Sequence, residues 1–372
     1  MLPQAVNNKQ SERNMVKFSV QNATAFCSMV YGRDEMLKAA RLIEELGNYS
    51  MLSVMDHVNW YPDYTEIYSA WLMVAEIAMA MKKGDIGIMV SDVFRTHPVQ
   101  MAQHALHMQK LSGNRFTLGI GAGEGPNLQG WGIESGKAVS RMEEAIQVFK
   151  LLFESDPKNK VSFEGKYYTF KKQFLQFKKK VEDVITPPKI WVAAGSPRTL
   201  KLAAKYADGW IPVGLTPGLY KEQAAIVRSE GRKVELAYNA FISISDKDPA
   251  AARERMKYIG MIQCLRPEAM KAIGIEVPEK VDFIKHFSKP GVSDHKRHQG
   301  SAMEFAMKAN IPLEKVMEPV LAGTADDVIG QIEKWTGAGC EHFMMQFFGD
   351  DYWGSLDLFS KKVIPYFQEK EK

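Results

Sequence analysis

The chain has 372 residues, of which 45% are hydrophobic and 25% charged, with a net charge of +4. That balance fits a globular protein with a sizeable core, and outside Lys171-Lys172 and Lys178-Lys179-Lys180 the positive charge is too scattered for a nucleic-acid surface. Cys27, Cys264 and Cys340 have neither metal-ligand spacing nor an even count, the segment Met1 to Asn14 is polar, and no run is long enough to cross a bilayer. The expectation is a cytoplasmic protein with reduced thiols, no membrane or nucleic-acid partner and no metal.

Strand and helix signals alternate along the chain. Lys17 to Val20 reads as a strand, Met36 to Glu45 as a helix, Met51 to Met55 as a second strand and Glu66 to Met81 as the next helix. Ile86 to Val90 is the third strand, Val99 to Leu111 its helix, Phe116 to Gly121 the fourth strand and Ala138 to Phe153 the amphipathic helix after it. Strands follow at Lys189 to Ala193, Gly209 to Pro212, Val234 to Ser243 and His342 to Phe347. Helices at Arg198 to Tyr206, Tyr220 to Ser229, Ala250 to Ile259 and Ala325 to Thr336 separate or precede them. About eight parallel βαβ units predict an α/β fold of the closed (β/α)8 TIM-barrel type, residues 1–372 forming a single domain. Insertions interrupt it at about 154–188 and 275–312. The first holds a hairpin, Val161 to Phe170, with Gly165 in its turn. The second carries His286, His295 and His298 in spacings that match no common zinc or iron pattern, and reads as a surface segment or substrate lid. The 21 methionines, Met73, Met79, Met101 and Met108 among them, read as flexible core filler.

In a barrel the carboxyl ends of the strands share one face. Two such ends carry chemistry. The run Phe116-Thr-Leu-Gly-Ile-Gly-Ala-Gly-Glu-Gly-Pro-Asn127 closes in alternating glycines followed by Glu124 and Asn127. It lacks the third glycine of a dinucleotide fingerprint, because Glu124 follows Gly119 and Gly121 at that spacing. Glycines of this kind let a backbone approach a flat or anionic ligand. The second end, Ser53-Val-Met-Asp-His-Val-Asn-Trp60, supplies a carboxylate, an imidazole able to exchange a proton near neutral pH, and an indole wall.

Those residues resemble the bacterial luciferase-like superfamily, and within it the oxidoreductases that use the deazaflavin coenzyme F420. Met55-Asp56-His57 with Trp60 is similar to the Ser-Asp-His of the family's glucose-6-phosphate dehydrogenases, and Gly121-Ala-Gly-Glu-Gly-Pro-Asn127 to their Gly-Thr-Gly-Glu-x-x-Asn. Phe94-Arg-Thr-His-Pro98 resembles a Phe-Arg-x-Asn-Pro motif. Trp191-Val-Ala-Ala-Gly-Ser-Pro197 and Tyr206-Ala-Asp-Gly-Trp-Ile-Pro212 look like the phthiodiolone ketoreductases. Methylenetetrahydromethanopterin reductases of C1 metabolism are a more distant resemblance and a further reading of the function.

The resemblance implies hydride transfer between C5 of F420 and a carbonyl, imine or activated alkene carbon of a small organic substrate, in a homodimer. It gives His57 and Glu124 acid and base roles, makes Trp60 a wall, and puts Asp56, Ser91, Ala122, Gly123 and Asn127 on the cofactor. Ala194, Gly195, Ser196, Arg198 and Thr199 would hold the cofactor phosphate at a helix tip, and a cis peptide at Ile88-Met89 would back the ring. The rival within the superfamily is an FMN-dependent monooxygenase. A cofactor-free barrel with a binding role is the rival from outside enzymology.

Overall fold

The computed structural model describes residues 15–22, 32–58, 66–177, 185–271, 273–278, 281 and 295–370. Its strands are β1 (Lys17–Asn22), β2 (Met51–Val54), β3 (Asp85–Ser91), β4 (Phe116–Ile120), β5 (Val161–Glu164), β6 (Thr169–Gln173), β7 (Lys189–Val192), β8 (Gly209–Trp210), β9 (Glu235–Ile244), β10 (Val320–Gly323) and β11 (His342–Phe347). Eight of them close a parallel ring in the order β1, β2, β3, β4, β7, β8, β9, β11 and back to β1. This is the expected (β/α)8 barrel. β8 has only two residues, so β9 outruns it and pairs its far end, Phe241 to Ile244, with β10.

The alternation of side chains along each strand builds two cores. Outward-facing Phe18, Ile88, Leu118, Phe343 and Phe347 pack under the helices. Met51, Met89, Trp191, Ile211, Ala237 and Met344 fill the barrel interior. The floor of the barrel is polar. His342 bonds Ser19 Oγ through Nε2 and Glu235 Oε1 through Nδ1, at 2.5 and 2.9 Å. Burial alone would raise the Glu235 carboxyl, but His342 and Lys17 pull it down to about 2. A cavity of about 80 Å³ opens there, lined by Lys17, Asp85, Lys189, Glu235 and His342 at the amino ends of the strands.

The first insertion is the expected hairpin, β5 against β6. Glu144, on the helix Ala138–Glu154, accepts the backbone N–H groups of Lys166 (2.8 Å), Tyr167 (2.8 Å) and Tyr168 (3.2 Å) at its turn. The second insertion holds the helix His295–Lys308, is flanked by the helices Pro267–Lys271 and Leu313–Met317, and shares with them a small separate core around Leu265, Met270, Ala302 and Val316. His286 lies outside the described residues, as do the side chains of His295 and His298. Met73, Met101 and Met108 are buried, but Met79 is 64% exposed and is not core filler. No helix among the described residues is long and apolar enough to cross a membrane.

Candidate active site at the carboxyl ends of the strands

Asp56 follows β2 and meets Ser91, the last residue of β3, whose hydroxyl donates to Asp56 Oδ2. Arg95, four residues past β3, donates from Nη2 to the Asp56 carbonyl at 2.7 Å and from Nη1 to Asp56 Oδ1 at 3.2 Å. Its Nε donates to Asp92 Oδ2 at 2.6 Å, while Asp92 Oδ1 accepts the N–H groups of Phe94 (2.8 Å) and Arg95 (3.0 Å). One guanidinium thus spans two carboxylates, all three side chains being no more than 14% exposed. Such a fork suits arginine and no other cation. Burial raises the Asp56 carboxyl above its ordinary value, and Arg95 and Ser91 offset only part of that.

β4 ends at Ile120, and Glu124 caps a short helix, Gly125–Leu128. Asn127 on that helix is 3% exposed. Its Oδ1 accepts the Val58 N–H at 2.9 Å and its Nδ2 lies 2.8 Å from His57 Nδ1. The carboxamide therefore ties the segment after β2 to the segment after β4. Glu124 Oε2 is buried without a hydrogen-bond partner. Burial pushes its carboxyl up to about 7, against the charge of Arg95 and with that of Asp92. A carboxyl poised there exchanges protons readily at neutral pH.

The glycines answer to protein neighbours. A Cβ on Gly119 would stand 2.6 Å from the Ile88 carbonyl, and one on Gly121 would stand 2.8 Å from Val90 Cγ2. Gly123 holds φ +80°, a value L side chains rarely adopt, and its Cβ would meet Leu128 at 2.5 Å. The close approach expected toward a ligand is thus made first toward β3 and the short helix.

The cis peptide lies at Met89–Val90, one residue beyond the Ile88-Met89 expected. Ile88 points outward under the helices, so only Met89 of that pair faces the barrel interior. Gln21 donates from Nε2 to the Met89 carbonyl. At the expected phosphate tip, before the helix Pro197–Tyr206, the Gly195 and Ser196 amides donate to Thr199 Oγ1 at 3.2 and 3.0 Å. Thr199 N donates to Ser196 Oγ in return, closing a capping box, so an anion would compete with the threonine hydroxyl. Arg198 is exposed and donates to Ser140 Oγ at 2.7 Å. The Ala194 carbonyl accepts the Trp210 indole N–H at 2.9 Å. Ala122 is half-buried between Gly121 and Gly123, and Trp60 lies outside the described residues.

Asp56, Ser91, His57, Asn127 and Glu124 are thus joined into one neighbourhood by Arg95 and Asn127. Sequence reasoning gave Asp92 and Arg95 no role. Arg95 had the Phe94-Arg-Thr-His-Pro98 motif as its signal, and Asp92 had none.

Residues 19–342 match the family model described as luciferase-like monooxygenase. A phthiodiolone/phenolphthiodiolone dimycocerosates ketoreductase of Mycobacterium kansasii is 28% identical over 301 residues, covering 76% of this chain and 78% of the relative. An F420-dependent glucose-6-phosphate dehydrogenase of Gordonia bronchialis is 27% identical over 350 residues, 89% of this chain and 92% of the relative. Among solved structures, an F420-dependent secondary alcohol dehydrogenase with an F420-acetone adduct superposes with a TM-score of 0.70 at 23% identity, covering 94% of this chain and 98% of that one. A Pseudomonas putida type II Baeyer-Villiger monooxygenase with FMN gives 0.63 at 15%, covering 94% and 98%. At these identities the structural neighbours show the fold.

Proposed function

Because the chain belongs to the luciferase-like monooxygenase family and its sequence relatives include a ketoreductase and an F420-dependent dehydrogenase, we propose that it is an F420-dependent oxidoreductase acting on a small organic carbonyl or its alcohol. The observation that carries this reading is the buried, unpartnered Glu124 Oε2 one helical turn from the Asn127–His57 pair. A bound ring with a polar edge would complete that carboxyl, so the residues present fit such a cofactor. When bound, the deazaflavin supplies a hydride donor or acceptor at C5.

The remaining work falls to the chain. Asp56, held by Arg95 and Ser91, would orient the cofactor, and Ala122, Gly123 and Met89 would hold its ring. Arg198 and the Gly195–Thr199 tip would hold the phosphate, with the Gly195 and Ser196 amides now on Thr199 Oγ1 as its donors. Glu124 and His57 meet the substrate oxygen, and Glu124 moves the proton. Positioning of two reacting carbons accounts for about 7 to 11 kcal/mol of barrier lowering in favourable cases. Acid-base assistance adds roughly 10²- to 10⁴-fold. An imine or activated alkene carbon would be served by the same groups.

We also assign the protein to a homodimer in the cytoplasm. The helix Ala70–Ala80 is apolar on its outer side too, with Leu72 70% and Met79 64% exposed, and a second copy would cover it. Fluorescence titration of the purified protein with F420 and with FMN tests the cofactor. Saturable uptake of F420 followed by ketone-dependent oxidation of its reduced form supports the reading. Tight FMN binding with oxygen consumption in the presence of a reductase would replace it by the monooxygenase chemistry of the FMN-bearing neighbour.

A further inference from the structure

Gln21, Ser53 and Gln346 lie side by side on β1, β2 and β11. Gln21 pairs with Ser53, and because Val20 pairs with Met345, the next step of that register sets Gln346 on the other side of Gln21. Their neighbours Val20, Leu52, Val54, Met345 and Phe347 belong to the outer core, so these three side chains point into the barrel. They form a polar layer one step nearer the strand carboxyl ends than Met51 and Met344. All three are buried, at 1%, 0% and 2% exposure.

Each has a polar atom to spare. The Met89 carbonyl only accepts, so the Gln21 NH2 faces it, and Gln21 Oε1 is left without a partner. Gln346 Nε2 donates to Asn239 Oδ1 at 2.9 Å, which leaves Gln346 Oε1 unpaired as well. Ser53 Oγ is the third unpaired group. Two acceptors and one hydroxyl are matched by a molecule that donates twice and accepts once. A water does this, and buried waters typically make about three hydrogen bonds to such groups. A cation would meet only neutral oxygens from these side chains, a poor exchange for its hydration. Gln21 also serves β3. The ladder between β3 and β4 pairs Ile88 with Leu118 and resumes at Ser91 with Ile120, and within that gap Gln21 reaches across β2 to supply a donor to the Met89 carbonyl.

We infer that Gln21, Ser53 and Gln346 bind one internal water, and that this water holds Gln21 in the orientation that seats the Met89 carbonyl. The water donates to Gln21 Oε1 and Gln346 Oε1 and accepts from the Ser53 hydroxyl, so none of the three buried groups goes unsatisfied. With Oε1 pinned, the Gln21 carboxamide does not turn over and set oxygen against oxygen at Met89. The water site rests on the barrel geometry alone. Its bearing on the cofactor rests on the F420 reading, in which Met89 helps to hold the ring.

A crystal structure of the full-length apoprotein, at a resolution that shows ordered waters, tests the site. The expected map has one isolated peak within about 3.2 Å of Gln21 Oε1, Gln346 Oε1 and Ser53 Oγ. Direct contact between the two glutamine carboxamides with no peak beside them overturns the inference, as does a metal ion in that place. Gln21→Met keeps the side-chain length but removes its donor and acceptor. Fluorescence titration should then show F420 bound about 5- to 10-fold more weakly, the loss of one hydrogen bond, with kcat at saturation little changed. Ser53→Val leaves Gln21 intact and puts methyl groups where the water sits, and it should weaken F420 binding in the same direction. An unchanged Kd in Gln21→Met overturns the seating role. An unchanged Kd in Ser53→Val, with the peak gone from its crystal structure, overturns the water's hold on Gln21. Failure of the wild type to take up F420 strikes the proposed cofactor instead and leaves the crystallographic result standing.

Discussion

Replacing Glu124 by Gln should stabilise the protein and disable it, each in a defined pH range. Burial raises the Glu124 carboxyl from 4.5 to about 7. That difference corresponds to roughly 3 kcal/mol at 1.36 kcal/mol per unit. Between these values the folded protein keeps a proton that the unfolded chain has released, so stability falls as pH rises through this window and the loss is complete above about 7. A glutamine has no charge to bury. Glu124→Gln should therefore match the wild type near about pH 4, and exceed it by up to about 3 kcal/mol near about pH 8. Urea denaturation of the two apoproteins at several pH values measures the difference. Turnover should move the other way, with the variant losing roughly 10²- to 10⁴-fold. In the wild type, ketone reduction should decline as pH rises through about 7 and alcohol oxidation should gain. A stability difference that stays constant across the pH range, or a variant weaker than wild type under alkaline conditions, would refute the buried, protonated carboxyl.

The other predictions address the groups around it. Arg95→Leu leaves Asp56 and Asp92 facing each other without a cation, and should cost about 3 to 5 kcal/mol in chemical denaturation. A loss under 1 kcal/mol, by the measure typical of exposed pairs, would show the fork to be solvent-screened. His57→Ala should retain F420 binding by fluorescence while losing most turnover, about 10²-fold or more. Normal turnover would remove His57 from the chemistry. Leu72→Glu combined with Met79→Glu should yield a monomer by light scattering, and a dimer that survives both charges would place the contact elsewhere. Glu144→Ala strands three hairpin amides, and limited proteolysis should then cut near Lys166 in the variant before the wild type.

The barrel was legible because its strands are apolar runs bounded by turn residues, and their carboxyl ends marked Asp56, His57 and Glu124 before any coordinates. What stayed hidden depends on partners distant in sequence or on very short elements. Arg95 reaches Asp56 across 39 positions, and nothing local announces the pairing. The helix Gly125–Leu128 begins at a Gly-Pro pair that reads as a turn, yet it carries the carboxamide that grips His57. β10 is a four-residue run beyond the second insertion, and it pairs with the far end of β9, which extends past its two-residue neighbour. The closing helices Tyr352–Leu358 and Ile364–Glu369 supply the helical layer after β11, a step beyond the last element expected from the sequence, which ended at Phe347. Their link, Phe359–Val363, is anchored by Phe359 against Phe18 and by Ser360 bonded to Asn48.

The hairpin of β5 and β6 sits behind the Asp92–Arg95 turn. Tyr168 Oη donates to the Val93 carbonyl at 3.4 Å, its ring meets His97 edge-on at 5.4 Å, and Arg141 lies 4.5 Å over the Tyr167 ring. The arginine that fixes Asp56 is thus braced by an appendage that contributes none of the residues assigned to the chemistry. Changes of length or sequence in such an outrigger can shift how firmly the carboxylate is seated while every catalytic side chain is preserved. Natural variation would then have a place to adjust cofactor residence time that a survey of pocket residues overlooks.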